Sequence, residues 1–171
     1  MEKSPTQFYY QPIGRIHSPF KQTRGMPIQP SGARGVQGTV NVFPEYAAGL
    51  KDLDGFSHVI LLYHFHKTEG SELIVTPFLD SQSHGVFATR APRRPNPIGI
   101  SAVRLLDLSA NILTVEDIDI LDGTPLIDIK PYVPAFDHHP ADRIGWLEQT
   151  SHLTRGTLSD ERFTGPVKKA P

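Results

Sequence analysis

The sequence predicts an all-β fold: a small antiparallel β-barrel followed by a short polar C-terminal extension. Three observations lead there. Apolar segments of strand length recur between turn signals along most of the chain. No stretch of ten or more residues before the C-terminal part holds a convincing helical period. Proline, at 16 residues, and glycine, at 14, punctuate the 171-residue chain too often for a helical bundle.

The elements follow in order. Phe8 to His17 alternates as a first strand, and an irregular loop rich in proline and glycine runs from Ser18 to Gly35. A loop of that length inside a compact domain tends to carry function. Gly38 to Phe43 reads as a strand, and Pro44 to Leu50 as one or two helical turns opened by proline. Phe56 to His66 is apolar on both faces at its middle, which marks a central strand. Glu72 to Phe78 and Gly85 to Arg90 read as two more. Ile98 to Leu108 and Asn111 to Leu121 flank a turn at Ser109 and Ala110, a hairpin pattern. Leu126 to Lys130 is the last strand. Beyond Pro134 the chain turns polar and loop-like, with a helical turn at Ile144 to Gln149.

Composition narrows the function classes. A hydrophobic share of 38% supports one core. The absence of cysteine excludes disulfides, thiolate metal sites and thiol nucleophiles. The longest apolar run, Val59 to Tyr63, is too short to cross a bilayer, so the expectation is a soluble cytoplasmic protein. With 17 basic and 18 acidic residues, binding to nucleic acid by bulk charge is excluded. The charges nevertheless fall in blocks. Lys3 to Pro44 and Ser81 to Leu106 contain no acid, while Leu105 to Ile129 contains six acids and no Lys or Arg. Two readings stand: an anionic partner such as phosphate, or pairing of the blocks with each other in the fold.

The glycine signatures of dinucleotide and P-loop sites are absent, as is the nucleophile elbow of α/β-hydrolases. His58, His64 and His66 share one face if their strand is unbroken. They would serve as metal ligands or as ordinary strand-end histidines. Asp117 and Asp119 likewise share a face, as a carboxylate pair or as the wet side of a strand. The segment Ala88-Thr89-Arg90-Ala91-Pro92-Arg93-Arg94-Pro95-Asn96-Pro97-Ile98-Gly99 places three arginines on a loop stiffened by proline. Such a loop loses little entropy on ordering, and guanidinium forks suit phosphate and carboxylate.

That segment, with Asp122-Gly123-Thr124-Pro125 and Asp128-Ile129-Lys130-Pro131-Tyr132, resembles the TsaA-like (YaeB/TrmO) family. Pro12-Ile13-Gly14, Ser18-Pro19-Phe20 and Phe56-Ser57-His58 extend the resemblance across residues 8–137, leaving 138–171 as an extension, partly loop. The resemblance implies a homodimeric β-barrel methyltransferase, outside the Rossmann type, that uses S-adenosyl-L-methionine. Its acceptor would be the exocyclic nitrogen of threonylcarbamoyladenosine beside the anticodon of certain tRNAs. By matching position it implies cofactor contacts at Gln29, Pro30, Ser31, His66, Lys67, Arg90, Ile100, Asp117, Ile118, Asp119 and Ile120, with no metal. Ser31 and Lys67 stand where other members often carry Gly and Gln.

Methyl transfer is an in-line displacement that depends mainly on alignment. The expectation is that Asn96 or Asp122 accepts the proton or hydrogen bond of the attacking nitrogen, or that Asn96 only shapes its turn. Arg93, Arg94 and Lys130 would hold RNA phosphate or the threonyl carboxylate. The alternatives are a β-barrel that binds the cofactor or RNA without catalysis, and a methyltransferase for a smaller acceptor. Members that modify tRNA carry a larger C-terminal region than the one present here.

Overall fold

A computed structural model describes residues 8–167. Eight strands occur: β1 (Gly14–His17), β2 (Gln37–Val42), β3 (His58–His64), β4 (Ile74–Val75), β5 (His84–Gly85), β6 (Ile98–Ser109), β7 (Ile112–Glu116) and β8 (Thr124–Pro131). Six of them close into a barrel in the order β1-β2-β7-β6-β3-β8, every pair antiparallel, and β4 pairs with β5 outside it. Closure leaves no free sheet edge in the barrel.

Period-two alternation fills the interior. Ile16, Val40, Val59, Leu61, Val103, Leu113, Val115 and Leu126 point inward and are fully buried. They meet across the ladders: Ile16 lies opposite Val40, Val40 opposite Leu113, and Val59 opposite Val103. Ile118 and Ile120, beyond the end of β7, plug the same core. Bulges at Leu62/Tyr63 and Leu105/Asp107 bend the sheet enough to close on itself.

Five expected strands are shorter than predicted, the central one only by its ends, at His58–His64. The first begins only at Gly14, because Phe8 to Ile13 contributes single hydrogen bonds such as Ile13 N–H to Leu126 O, not a ladder. The segments at 72–78 and 85–90 shrink to two residues each, the second turning into a short 3-10 helix at Val86–Ala88. The hairpin is real, but β7 stops at Glu116, because Asp117 adopts a left-handed backbone with φ 66°. The 3-10 helix at Pro44–Leu50 fulfils the prediction of helical turns.

The C-terminal segment has little regular structure: one α-helical turn, α1 (Pro134–Asp137), and 3-10 turns at Gly145–Glu148 and Ser151–Arg155. It is nevertheless docked. Phe163 is buried in a second small core with Val75, Val86 and Ala91, edge-on to Phe78. Leu158 bridges to Pro27, and the Arg162 guanidinium lies over the Phe78 ring while donating to Pro77 O.

One contact ties the sheet to what lies above it. Tyr63 is directly opposite Gly99, and any side chain at 99 would collide with the Tyr63 and Phe65 rings. Glycine therefore lets the Tyr63 ring lie across β6. Replacing it (Gly99→Ala) should lower stability by about 1–3 kcal/mol through overpacking, read as a fall in the denaturant midpoint at unchanged m.

Candidate functional site

Where β3 runs out and β6 and β8 begin, the barrel end opens into a cavity of about 270 Å³. Seven chain segments supply its wall: the early loop through Met26 and Gln29, the end of β3 through Tyr63 to Thr68, Phe78 between β4 and β5, the proline-rich loop, the start of β6, residues Asp119 to Thr124, and the C-terminal segment through Ser159 to Thr164. The lining is mostly apolar, with Ile28, Phe65, Ile98, Ile100, Ile120 and Phe163 set among a few ionic groups.

At its floor is a hydrogen-bond chain. Ser101, buried inside the barrel, donates from Oγ to Asp119 Oδ1 at 2.7 Å, and the Tyr63 hydroxyl lies 3.1 Å from the same Oγ. Burial pushes the Asp119 carboxyl up to about 6, against the opposing pull of Ser101 and Arg90. Burial and the nearby Asp119 charge also hold the Tyr63 phenol protonated, well above its ordinary range.

At the rim, Arg90 Nη1 donates to Gln29 Oε1 at 2.8 Å, joining two segments that are distant in sequence. His66 sits beside Thr124, with 3.4 Å between Nδ1 and Oγ1. Its pKa is depressed by partial burial and then by the charge of Lys67, so the ring is neutral at pH 7 and keeps one nitrogen lone pair.

The cavity thus gathers Gln29, His66, Lys67, Arg90, Ile100, Asp119 and Ile120 from the residues expected to hold the cofactor. Pro30 and Ser31 follow Gln29 in a 3-10 turn just outside the lining. Ile118 is fully buried in the barrel core, and Asp117 accepts the Gly35 N–H at 2.8 Å. Asp117 and Asp119 are therefore not a pair on one strand face.

The other expectations are revised. Arg93 is 4% exposed, with its guanidinium donating to Glu72 and to the carbonyls of Thr164 and Gly165. It lies outside the cavity lining. Arg94 lines the cavity, but its Nη1 staples the carbonyls of Val86 and Thr89. Two of the three loop arginines thus have partners within the chain: Arg94 on carbonyls of its own loop, Arg93 on Glu72 and the C-terminal segment. Lys130 pairs with Asp128 at 2.8 Å near the opposite end of β8. Asp122 is tied to Lys21 at 2.8 Å, to His17 and to the Ser18 N–H, and these partners hold its carboxyl below the ordinary range. Asn96 is exposed between its prolines and lies outside the cavity lining, as does Asp122. The three histidines do not converge either: β3 ends at His64, and His58 lies edge-on to Tyr132.

Tyr63, Phe65, Phe78, Ser159, Asp160 and Phe163 complete the cavity wall and were not anticipated. The first two belong to the central strand. The last three lie in the extension, whose composition is polar and whose few apolar residues form no periodic pattern.

A ligand-sized cavity of mixed apolar and ionic lining, at one end of a small closed barrel without glycine-rich phosphate loops, defines a β-barrel small-molecule-binding protein. The family model for the tRNA-methyltransferase O N-terminal domain matches residues 15–138, and the chain belongs to that family. It is 57% identical over 159 residues to a probable S-adenosyl-L-methionine-binding protein of Pyrococcus abyssi, covering 93% of this chain and 86% of that one. It is 37% identical to the tRNA (adenine(37)-N6)-methyltransferase of Escherichia coli, covering 96% of this chain and 72% of the relative. The crystal structure of TrmO from Pseudomonas aeruginosa superposes with a TM-score of 0.69 at 40% identity, over 82% of this chain. The present chain spans 63% of the length of that solved chain.

The raised Asp119 carboxyl has a thermodynamic consequence. A folded-state pKa above the unfolded one means the folded protein binds the proton more tightly, so stability falls as pH rises through about 6. Asp119→Asn should melt higher than wild type at pH 7.5, by the equivalent of about 1–3 kcal/mol. The difference should fade as pH is lowered toward 4, and thermal melts at the two pH values check it.

Proposed function

We propose that the protein is an S-adenosyl-L-methionine-dependent methyltransferase acting on the exocyclic nitrogen of threonylcarbamoyladenosine next to the tRNA anticodon. The observation that carries this reading is the convergence of Gln29, His66, Lys67, Arg90, Ile100 and Asp119 on one cavity at the barrel end, in a chain of this family. The donor set fits the cofactor. Apolar walls suit an adenine ring, Arg90 and Lys67 suit the carboxylate of an amino acid, and Asp119 offers negative charge to its cationic groups. When bound, the cofactor supplies a methyl group activated by a sulfonium.

The chain's own residues align and protect. The Tyr63–Ser101–Asp119 chain fixes a carboxylate at the floor, so no reorganisation is needed as charge moves. Arg90, held by Gln29, is pre-positioned at the rim. Methylation forms a nitrogen–carbon bond, breaks the carbon–sulfur bond and releases one proton from the nitrogen. Neutral His66 is placed to take that proton on the ring nitrogen that carries its lone pair.

Two further parts of the reading concern assembly and place. Leu106 and Ile112, exposed apolar residues of β6 and β7 outside the cavity, support a homodimer packed on that face. No helix among the described residues is long and apolar enough to cross a membrane, and a tRNA acceptor supports a cytoplasmic location.

Transfer of label from methyl-labelled S-adenosyl-L-methionine tests the function. Label should enter tRNA carrying threonylcarbamoyladenosine and not unmodified tRNA. Arg90→Ala should weaken cofactor binding by roughly 10–100-fold in calorimetry, the loss of one charge-assisted contact. Cofactor binding without transfer to either RNA would instead favour a non-catalytic module or a smaller acceptor.

A further inference from the structure

Beside the first cavity lies a second, of about 510 Å³, beyond the rim formed by Gln29 and Arg90. Ile28, Gln29, Phe78, Thr89, Arg90 and Phe163 line both, so the two spaces share a wall. Trp146 and Phe87 form the far side. No carboxylate lines this cavity, and Arg90 is its one charged residue.

The two far-side rings differ in kind. Trp146, the single tryptophan of the chain, is fixed: its Nε1 donates to Ala88 O at 2.8 Å. His84 stacks on it at 4.7 Å and is itself held by Asp80 at 2.8 Å. Phe87 is 74% exposed and belongs to neither core cluster, and the Arg94 guanidinium lies 5.8 Å from its ring centroid. A pinned indole and an exposed phenyl ring beside Arg90 fit a flat aromatic ring joined to an anionic backbone.

We propose that this second cavity is the acceptor subsite, and that it takes the unstacked purine base of the RNA between Trp146 and Phe87, with Arg90 at the junction of the two cavities. The proposal rests on the methyltransferase reading above. In-line transfer requires the acceptor nitrogen to reach the methyl group from a space continuous with the cofactor cavity. A base inside a stacked helix cannot enter such a space, whereas a base turned out of an anticodon loop can, and ring walls offset the loss of its stacking. Ser151 supplies a hydroxyl for the ring edge, whereas those of Thr89 and Thr154 donate to the Val86 and Ser151 carbonyls.

Because Trp146 is the only tryptophan, its emission reports occupancy of this cavity without background. The full chain, saturated with S-adenosylhomocysteine, is titrated with the nucleoside N6-threonylcarbamoyladenosine and with an RNA stem-loop carrying it. Saturable quenching is expected with both. In Phe87→Ala the midpoints should rise at least tenfold, while the melting temperature and the affinity for S-adenosylhomocysteine stay within error of wild type. Absence of quenching by either probe, or unchanged midpoints in the variant, overturns the subsite. Emission that changes with protein concentration alone and ignores both probes also overturns it, since a second copy of the chain would then cover the cavity. The readout needs no turnover: quenching without methyl transfer would sink the enzyme and keep the base site, and transfer that ignores Phe87→Ala would do the reverse.

Discussion

The roof of this molecule depends on one buried cation. Arg93 is almost fully enclosed, and removing a guanidinium from water costs several kcal/mol unless its protons find acceptors. Glu72 supplies the counter-charge at 3.1 Å, and the carbonyls of Thr164 and Gly165 accept at 3.1 and 2.8 Å. Those partners come from two parts of the chain, so the two terminal nitrogens of one side chain bring the segment before β4 and the C-terminal segment to the proline-rich loop, while its Nε stays buried without a partner among the described residues. With the C-terminal segment in place, Phe163 enters the small second core and becomes the wall that both cavities share. The geometry of each cavity therefore follows from meeting the needs of a residue that contacts neither.

Beneath that roof the barrel contributes rigidity. Its ladders pair the backbone polar groups on every strand, and its interior is a continuous aliphatic core. A polar chain can be set into such an end only if every member has a partner. Tyr63, Ser101 and Asp119 satisfy one another, and glycine at 99 provides the space for the ring that starts the chain. The charge blocks of the sequence pair with each other at one point, where Lys21 of the first basic block meets Asp122 of the acidic one, while Arg24 reaches Glu161 outside the blocks. Arg90 stands apart, held by a neutral amide and left facing both cavities.

What was legible in the sequence was what alternation encodes. The β6–β7 hairpin and the strand at 37–42 announce themselves because one face of each is buried, and burial imposes period two, while the central strand shows as an unbroken apolar run. The segment at 72–78 has strand composition but lies outside the barrel, so only two of its residues find a partner. The carboxylates at 117 and 119 looked like neighbours on one face because a left-handed residue at 117 leaves no mark on the alternation. Three arginines on a stiff loop suggested phosphate for a sound reason. Sequence cannot show that a loop of short turns has carbonyls of its own to satisfy, which is where Arg94 is used. The extension was hardest to read, because Trp146 and Phe163 act as single anchors and a single anchor has no period.

This division between floor and roof bears on how such a site can work. The floor is held by strand ladders, whose opening approaches global unfolding in cost. The roof rests on a second core of Val75, Val86, Ala91 and Phe163 with Phe78, far smaller than the barrel core, together with a few polar ties. Less buried apolar area means a smaller free energy of local opening. Groups that need fixed positions, Asp119 and the end of β3, lie against the strong layer. Arg90, Phe163 and the ring walls lie on the layer with the smaller core, so the same ligand would meet a floor and a roof of unequal local stability.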